Sequence, residues 1–247
     1  MNWQQPWIIG NWKMNGRRSS TVAFAQAWAE QRLPENVSTG IAAPLPYLLD
    51  LKQAAPALPV GAQDVSRFDK DGAFTGETSA VMLADLGAQF VLLGHSERRQ
   101  YFGENNETLS AKLDNALAAG LIPILCVGET LSQRQAAQEQ AVVAEQLSVL
   151  RGKSMPHIAV AYEPVWAIGT GQVASAEQIA DMHAFIYAEL LSFANKSANI
   201  RALYGGSVNA QNAQTILTLP NVDGALVGGA SLQADSFAAI VQAAAKQ

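Results

Sequence analysis

The sequence predicts a single α/β domain, a closed (β/α)8 barrel that covers residues 1–247. Eight short, nearly continuous apolar segments alternate with longer amphipathic segments, which is typical of parallel strands and their covering helices. Dividing 247 residues by eight gives about 31 residues per unit, the size of one strand–helix unit. No linker or low-complexity tract interrupts the series, and no Gly-x-Gly-x-x-Gly follows the first strand. A closed barrel is therefore favoured over an open, dinucleotide-binding sheet.

The eight apolar segments are rich in β-branched residues and are interpreted as strands covered on both faces. In chain order they are Trp7–Asn11, Val37–Ala43, Leu58–Gln63, Phe90–Gly94, Leu121–Val127, His157–Glu163, Ile200–Tyr204 and Gly224–Val227. Because the strands of such a barrel are parallel, their carboxyl ends meet at one rim, where the chemistry of these proteins takes place.

The segments between the strands predict helices. They include Thr21–Gln31, Thr108–Ala119, Leu131–Leu150 as one long Gln-rich helix, and Asp235–Ala245 at the end of the chain. Asn105 and Asn106 are good capping residues before the second of these, and Gly120 follows its end. Ser175 and Gln178 have the spacing of a capping box and predict the start of a further helix.

The composition excludes several classes of protein. Apolar residues make up 49% of the chain and charged residues 15%, which excludes a disordered chain. The net charge is −5 with no basic stripe, so no nucleic-acid partner is expected. A single cysteine excludes an intramolecular disulfide framework and any multi-cysteine metal site.

Neither a signal peptide nor a membrane partner is expected. The first residues, Met1–Lys13, lack a basic region followed by an apolar region and a small-residue cleavage site. Gly120 and Pro123 interrupt the longest apolar stretch, Ala118–Gly128, which is far shorter than the ~18 residues of a spanning helix. We therefore expect a soluble protein, and a reducing cytoplasmic compartment fits the cysteine content.

Charged residues follow the first and fourth strands directly. Lys13 lies between Trp12 and Met14, and it is either a snorkelling surface lysine or a fixed cation for an anionic substrate. His95 follows Gly94 and opens a short predicted helix, whose positive dipole end would lower the pKa of the imidazole and keep it neutral. A purely structural role remains the alternative for His95.

Glu163 ends the apolar sixth strand and precedes Pro164. Partial desolvation at such a position strengthens a carboxylate as a base. The following segment, Val165–Gly171, is apolar and ends in two glycines, whereas an ordinary surface loop is polar. An apolar loop with flexible ends is what a lid over an active site requires.

Glycine pairs follow the last two strands, in Gly205–Gly206–Ser207 and in Gly228–Gly229. Backbone N–H groups of glycine can approach an anion closely, and the ends of strands seven and eight are the usual phosphate-binding position in these barrels. Each glycine pair alone is also explained by an ordinary turn. Three further residues, Cys126, His157 and His183, are interpreted as structural, and no metal-binding spacing is present.

Taken together, these segments resemble the triosephosphate isomerases. The matching segments are Gly10–Asn15, Gly94–Arg99, Ala161–Gly171 and Tyr204–Ser207, with Gly72–Glu77 and Leu125–Glu129 in support. The resemblance is to the bacterial members and runs from about residue 7 to residue 245. It implies interconversion of dihydroxyacetone phosphate and glyceraldehyde 3-phosphate through an enediolate, without cofactor or metal.

The resemblance also implies roles for individual residues. Glu163 is expected to be the base, His95 the electrophile, and Lys13 the cation beside Asn11, with Glu97 as a supporting carboxylate. Backbone donors to the substrate phosphate are expected at Gly169, Ser207, Gly228 and Gly229. A strained backbone with positive φ is expected at Lys13.

Finally, the resemblance implies a homodimer. The loop Asp64–Glu77 is long for a compact barrel, and Thr75 near its tip is expected to reach the partner's active site. Two alternatives stay open at this level. One is another sugar-phosphate enzyme, such as an aldolase that uses Lys13 as a Schiff base, and the other is a catalytically silent barrel used for binding. Glu97 also has a purely structural alternative. It can be a surface carboxylate that stabilises the start of its helix by interacting with the helix dipole.

Overall fold

The structure, a computed structural model, describes residues 1–153, 155–168, 173–193 and 198–245. Eight parallel strands form a closed barrel in chain order, and β8 pairs with β1. The strands are β1 Trp7–Asn11, β2 Ser38–Ala42, β3 Val60–Ala62, β4 Phe90–Leu93, β5 Ile122–Val127, β6 His157–Tyr162, β7 Asn199–Tyr204 and β8 Gly224–Val227. The predicted (β/α)8 barrel is confirmed, and every predicted strand is present with ends displaced by at most two residues.

Ten α-helices lie among the residues that the structure describes. They are α1 Arg18–Ala29, α2 Leu45–Ala54, α3 Ala80–Asp85, α4 Ser96–Phe102, α5 Asn106–Ala118, α6 Leu131–Gln135, α7 Glu139–Leu147, α8 Ala176–Phe193, α9 Ala213–Leu217 and α10 Ala234–Ala244. None of these helices is both long and apolar enough to cross a membrane. The capping predictions are confirmed, since the Asn105 side chain accepts from Thr108 N–H and the Ser175 and Gln178 side chains cap each other's backbone.

One helix prediction is wrong. The segment Leu131–Leu150 contains α6, then a break, then α7 and a 3₁₀ turn at Ser148–Leu150. The break lies at Ala137, whose φ of 53° is left-handed and cannot continue a helix. Sequence periodicity also failed to identify α2, α3 and α9.

The core has two layers because strand side chains alternate in direction. Trp7, Ile9, Phe90 and Leu92 belong to one buried cluster, inside the barrel. Their neighbours along the strands belong to the larger cluster between strands and helices. The Phe90 ring fills space that only a glycine leaves open, since a Cβ on Gly61 would lie 2.3 Å from it.

This architecture sets the position of the candidate site. Asn11 is the last residue of β1, His95 lies two residues after β4, and Glu163 follows β6 directly. The residues after β7 and β8 begin the two glycine pairs. All of these positions therefore belong to the carboxyl-terminal rim of one barrel.

Candidate active site

A cavity of about 430 Å³ opens at the carboxyl-terminal rim of the barrel. It is lined by most of the sequence-predicted site residues, namely Asn11, Lys13, His95, Glu163, Ser207, Gly228 and Gly229. Glu97 lies beside the cavity, in contact with Lys13. Gly169 lies outside the residues that the structure describes. Thr75 does not line this cavity and is exposed on the loop after β3.

Lys13 is held as a fixed cation. Its backbone has the expected positive φ, 49°, and its N–H donates to Asn11 Oδ1 at 3.0 Å. Its ammonium Nζ lies 2.6 Å from Glu97 Oε1. A left-handed backbone at a non-glycine residue is strained and persists only where surrounding contacts impose it. Because the Glu97 carboxylate occupies this contact with Nζ, the geometry offers the Schiff-base alternative no support.

His95 caps α4, as the sequence predicts. The His95 Nδ1 atom accepts from Glu97 N–H at 3.3 Å, so in a neutral ring the proton lies on Nε2. That Nε2 atom is 2.8 Å from Glu163 Oε1. The two ring nitrogens therefore have different partners, and Nε2 is the one that lies against the candidate base.

The expected direction of the His95 pKa shift is wrong for this arrangement. Burial of the ring lowers its pKa, but the Glu163 carboxylate, through its charge and its hydrogen bond, raises the pKa above the ordinary value. The sequence argument considered only the helix terminus. It could not include a carboxylate that the fold brings to His95 from another strand.

Glu163 is almost fully buried, and it combines two contacts on the start of α4. One carboxylate oxygen lies against His95, and the other accepts the backbone N–H of Ser96 at 3.0 Å. A buried carboxylate is tolerated only with such partners. The pair of a buried carboxylate and an imidazole, 2.8 Å apart at the rim of a cavity, can move protons on and off a small substrate.

A second buried carboxylate, Glu129, was not singled out from the sequence. Its side chain accepts from Tyr162 Oη at 3.2 Å and from Trp166 Nε1 at 2.7 Å. Val165–Ala167 forms a 3₁₀ turn at the start of the predicted lid. Glu129 therefore anchors this turn. A signal was available, because Glu129 follows the apolar β5 as Glu163 follows β6.

The opposite side of the cavity is built from Ser207 and the second glycine pair. Ser207 Oγ donates to Ala167 O at 3.2 Å, which connects this side to the start of the predicted lid. A Cβ on Gly229 would meet nothing within 4 Å, and one on Gly228 would meet only Lys13 Cε at 3.9 Å. The backbone here is therefore accessible from the cavity and close to the Lys13 side chain, an arrangement suited to an anion.

The residues interpreted as structural lie outside the cavity. Cys126 is fully buried, and burial raises the pKa of its thiol well above the usual value. His183 is buried on α8, and burial lowers its pKa to about 4. His157 begins β6 on the surface. Over the described residues, no group of histidine, cysteine and carboxylate side chains could hold a metal ion.

Comparison with known proteins agrees with this geometry. A family model described as triosephosphate isomerase matches residues 6–244. A triosephosphate isomerase of Neisseria meningitidis is 56% identical over 247 residues, covering 98% of each chain. Those of Paracidovorax citrulli and Pseudomonas entomophila are 48% and 43% identical; the alignments cover 96% and 98% of this chain and 98% and 99% of theirs.

Proposed function

The chain belongs to the triosephosphate isomerase family, and we propose that Glu163, His95 and Lys13 carry its reaction. That reaction interconverts dihydroxyacetone phosphate and D-glyceraldehyde 3-phosphate, a step of glycolysis and gluconeogenesis. The observation that carries the residue roles is the Glu163–His95 pair at the rim, with Nε2 and Oε1 2.8 Å apart. The reaction moves a proton between adjacent carbons through an enediolate, so it requires a base, an electrophile and a fixed positive charge.

Glu163 takes the proton from one carbon and returns it to the next. In the substrate-free arrangement its carboxylate is bound to Ser96 N–H and to His95. A substrate carbonyl that accepts from His95 Nε2 replaces the carboxylate there and frees Glu163 to turn toward the carbon. With the carboxylate displaced, the strongest influence that raises the His95 pKa is removed, while burial continues to lower that pKa, so the neutral ring donates to the carbonyl.

Lys13 stabilises the phosphate and the enediolate oxygen by its charge. Glu97 holds the ammonium in place through the 2.6 Å ion pair, and Asn11 fixes the Lys13 backbone. The backbone N–H groups of Gly169, Ser207, Gly228 and Gly229 bind the phosphate. Each of these functions uses only side chains and backbone, so the proposal needs neither cofactor nor metal.

The lid covers the site during the reaction. Its first residues, Val165–Ala167, are anchored through Trp166 to Glu129, and Ala167 O accepts from Ser207. An enediol phosphate loses phosphate readily in water. An apolar cover that excludes water therefore protects the intermediate. We also propose a cytoplasmic location and a homodimer in which Thr75 reaches the partner's site.

The proposal is tested by two substitutions at Glu163. Glu163→Asp retracts the carboxylate by about one C–C bond, ~1.5 Å, and a displacement of ~1 Å costs on the order of 10²-fold in rate. We expect kcat to fall by that order while KM for glyceraldehyde 3-phosphate changes little. Glu163→Gln has no base and should lose far more. Retention of kcat within about tenfold by Glu163→Gln would show that another group moves the proton.

A further inference from the structure

Strand β5 continues beyond the point where its neighbour β4 ends. β4 and β5 pair as far as Leu93 and Leu125, and the chain after β4 then turns away at Gly94, where φ is 67°. The peptide groups of Cys126 and Gly128 that face this side therefore need other partners, because buried backbone groups are rarely left unpaired. Side chains supply them in both cases.

Arg99 supplies the first partner and Gln146 the second. Arg99 Nη2 donates to Cys126 O at 3.2 Å, and Arg99 Nε donates to Gly94 O at 2.8 Å. The Gln146 amide binds Gly128 in a bidentate manner. Gly128 N–H donates to Gln146 Oε1 at 2.7 Å, and Gln146 Nε2 donates to Gly128 O at 3.1 Å. One side chain of α7 thus replaces a missing strand neighbour.

Gly128 is in direct contact with the backbone of Glu163. A Cβ on Gly128 would lie 1.7 Å from Glu163 O, so the two segments touch at the closest approach that glycine allows. Glu163 N–H donates to Val127 O at 2.7 Å, and Val165 N–H donates to Glu129 O at 3.1 Å. Gly128 lies between these two hydrogen bonds. Its position therefore sets the position of the backbone that carries the base.

We propose that Gln146 is a positioning residue for Glu163, which it holds in place by clamping the backbone N–H and C=O of Gly128. Gln146 lies outside the substrate cavity, so it acts through the backbone and not on the substrate. The inference deepens the proposed function and rests on the role of Glu163 as the base. A displacement of Glu163 by a fraction of an ångström should lower kcat, whereas the phosphate donors on the other side of the cavity, and hence KM, are unaffected.

The chemistry of the clamp allows a reversible test. The introduced carboxyl in Gln146→Glu has the shape of the amide and, when protonated, accepts from Gly128 N–H and donates to Gly128 O. When ionised it has no donor and faces the carbonyl oxygen, which repels it. Partial burial and this carbonyl raise the pKa of the introduced carboxyl, whereas the Gly128 N–H, which donates to its other oxygen, opposes that shift. Lowering the pH therefore restores the clamp within the same variant.

Other ionisable groups surround the clamp and are present in the wild type as well. Arg99, Cys126 and Glu163 line a cavity of about 470 Å³ that Gln146 also borders. Glu129 follows Gly128 in the chain, and Glu145 precedes Gln146 on α7. Arg99 opposes protonation of the introduced carboxyl, but its guanidinium already donates to the Gly94 and Cys126 carbonyls. Expressing each rate relative to wild type at the same pH removes the titration of these shared groups.

The experiment measures kcat and KM for glyceraldehyde 3-phosphate between about pH 5.5 and 8.5 in four proteins: the wild type, Gln146→Glu, Gln146→Leu and the control Gln140→Glu. Gln140 is an exposed residue of the same helix, so its substitution adds the same charge without touching the clamp. At the upper pH we expect kcat of both Gln146 variants to be at least about tenfold below wild type, with KM within about threefold. As the pH falls, kcat relative to wild type should rise for Gln146→Glu and for none of the other variants.

Two results would overturn the inference. One is a Gln146→Leu enzyme with kcat within about twofold of wild type, even if thermal unfolding shows it to be less stable. The other is a kcat of Gln146→Glu, relative to wild type, that does not change with pH. This second test still applies if the leucine variant fails to fold. Failure of the proposed function is distinguishable, because Glu163→Gln would then stay active whatever the Gln146 variants do.

Discussion

At the scale of single residues, Lys13 combines a strained backbone with a charge inside the cavity. Its φ of 49° is maintained by hydrogen bonds at both ends of the residue, to Asn11 Oδ1 and from Gln63 Nε2, each 3.0 Å long. The contacts that impose this strain, together with the Glu97 ion pair, hold the ammonium in the site. The sequence located Lys13 from its apolar neighbours, but the contribution of Gln63 came from the fold.

We expect Lys13→Met to lower kcat/KM for glyceraldehyde 3-phosphate by well over ~10²-fold, because it removes a preorganised electrostatic contact with both phosphate and enediolate. The matched control is Lys52→Met, which removes a lysine from the end of α2, away from the cavity, and should leave kcat/KM unchanged. Circular dichroism should show that both variants are folded. A loss of less than about tenfold in Lys13→Met would make the cation peripheral to the reaction.

The candidate site could be predicted from the sequence where a residue lies at a strand end, and not where it depends on contacts between distant segments. Asn11, His95 and Glu163 each end or follow an apolar strand, so barrel geometry alone places them at one rim. The raised pKa of His95 depends on the Glu163 carboxylate, and the clamp on Gly128 depends on Gln146 from a helix. No local pattern encodes either contact.

At the scale of elements, strands were easier to predict than helices for a physical reason. Barrel strands are buried on both faces and are therefore apolar throughout, whereas the helices differ in length and exposure. The segment Leu131–Leu150 consists largely of good helix formers and predicts one helix, yet the structure breaks it at Ala137. The break lets α7 turn so that Gln146 reaches Gly128, and this tertiary requirement overrides local propensity.

Ala137 should therefore be strained by its left-handed backbone, and a glycine at this position should relieve that strain. A left-handed conformation costs an ordinary residue roughly 1–2 kcal/mol, and a new glycine costs about 0.4–1 kcal/mol through the unfolded chain. Ala137→Gly should stabilise the protein by about 0.5–1 kcal/mol, which corresponds to roughly 1–4 °C in Tm.

The neighbouring alanine provides the control for that measurement. Ala136 is also exposed, but its φ is −87°, so Ala136→Gly releases no strain and should lower Tm. Thermal unfolding of both variants is to be compared with wild type at one protein concentration, since association also shifts Tm. A lower Tm in Ala137→Gly than in wild type would show that the left-handed residue is not strained.

At the scale of the whole molecule, the barrel closes without a partner but leaves several large apolar side chains exposed, four of them after strands β1, β3 and β4. Met14, Phe74, Tyr101 and Phe102 are all exposed, with Met14 at 97% and Tyr101 at 70%. They follow β1, β3 and β4 at the carboxyl-terminal rim, where the loop Asp64–Glu77 contains neither helix nor strand. We expect these residues to form one contiguous apolar patch, which is typical of a protein interface. The patch would lie at the same rim as the candidate site, which favours an assembly that affects activity.

If the patch is the homodimer interface, Thr75→Arg should separate the subunits and inactivate them together. A long charged side chain at the loop tip cannot be accommodated in a partner's pocket, and burying an unpaired charge there is costly. We expect sedimentation to show a smaller species for Thr75→Arg than for wild type, with kcat/KM reduced by at least about tenfold. Dilution of the wild type should lower its specific activity in parallel with dissociation.

The control Thr215→Arg, on the exposed face of α9 away from the patch, should keep both the assembly state and the activity. A Thr75→Arg monomer with full activity would show that each barrel holds a complete active site and that the patch serves another purpose.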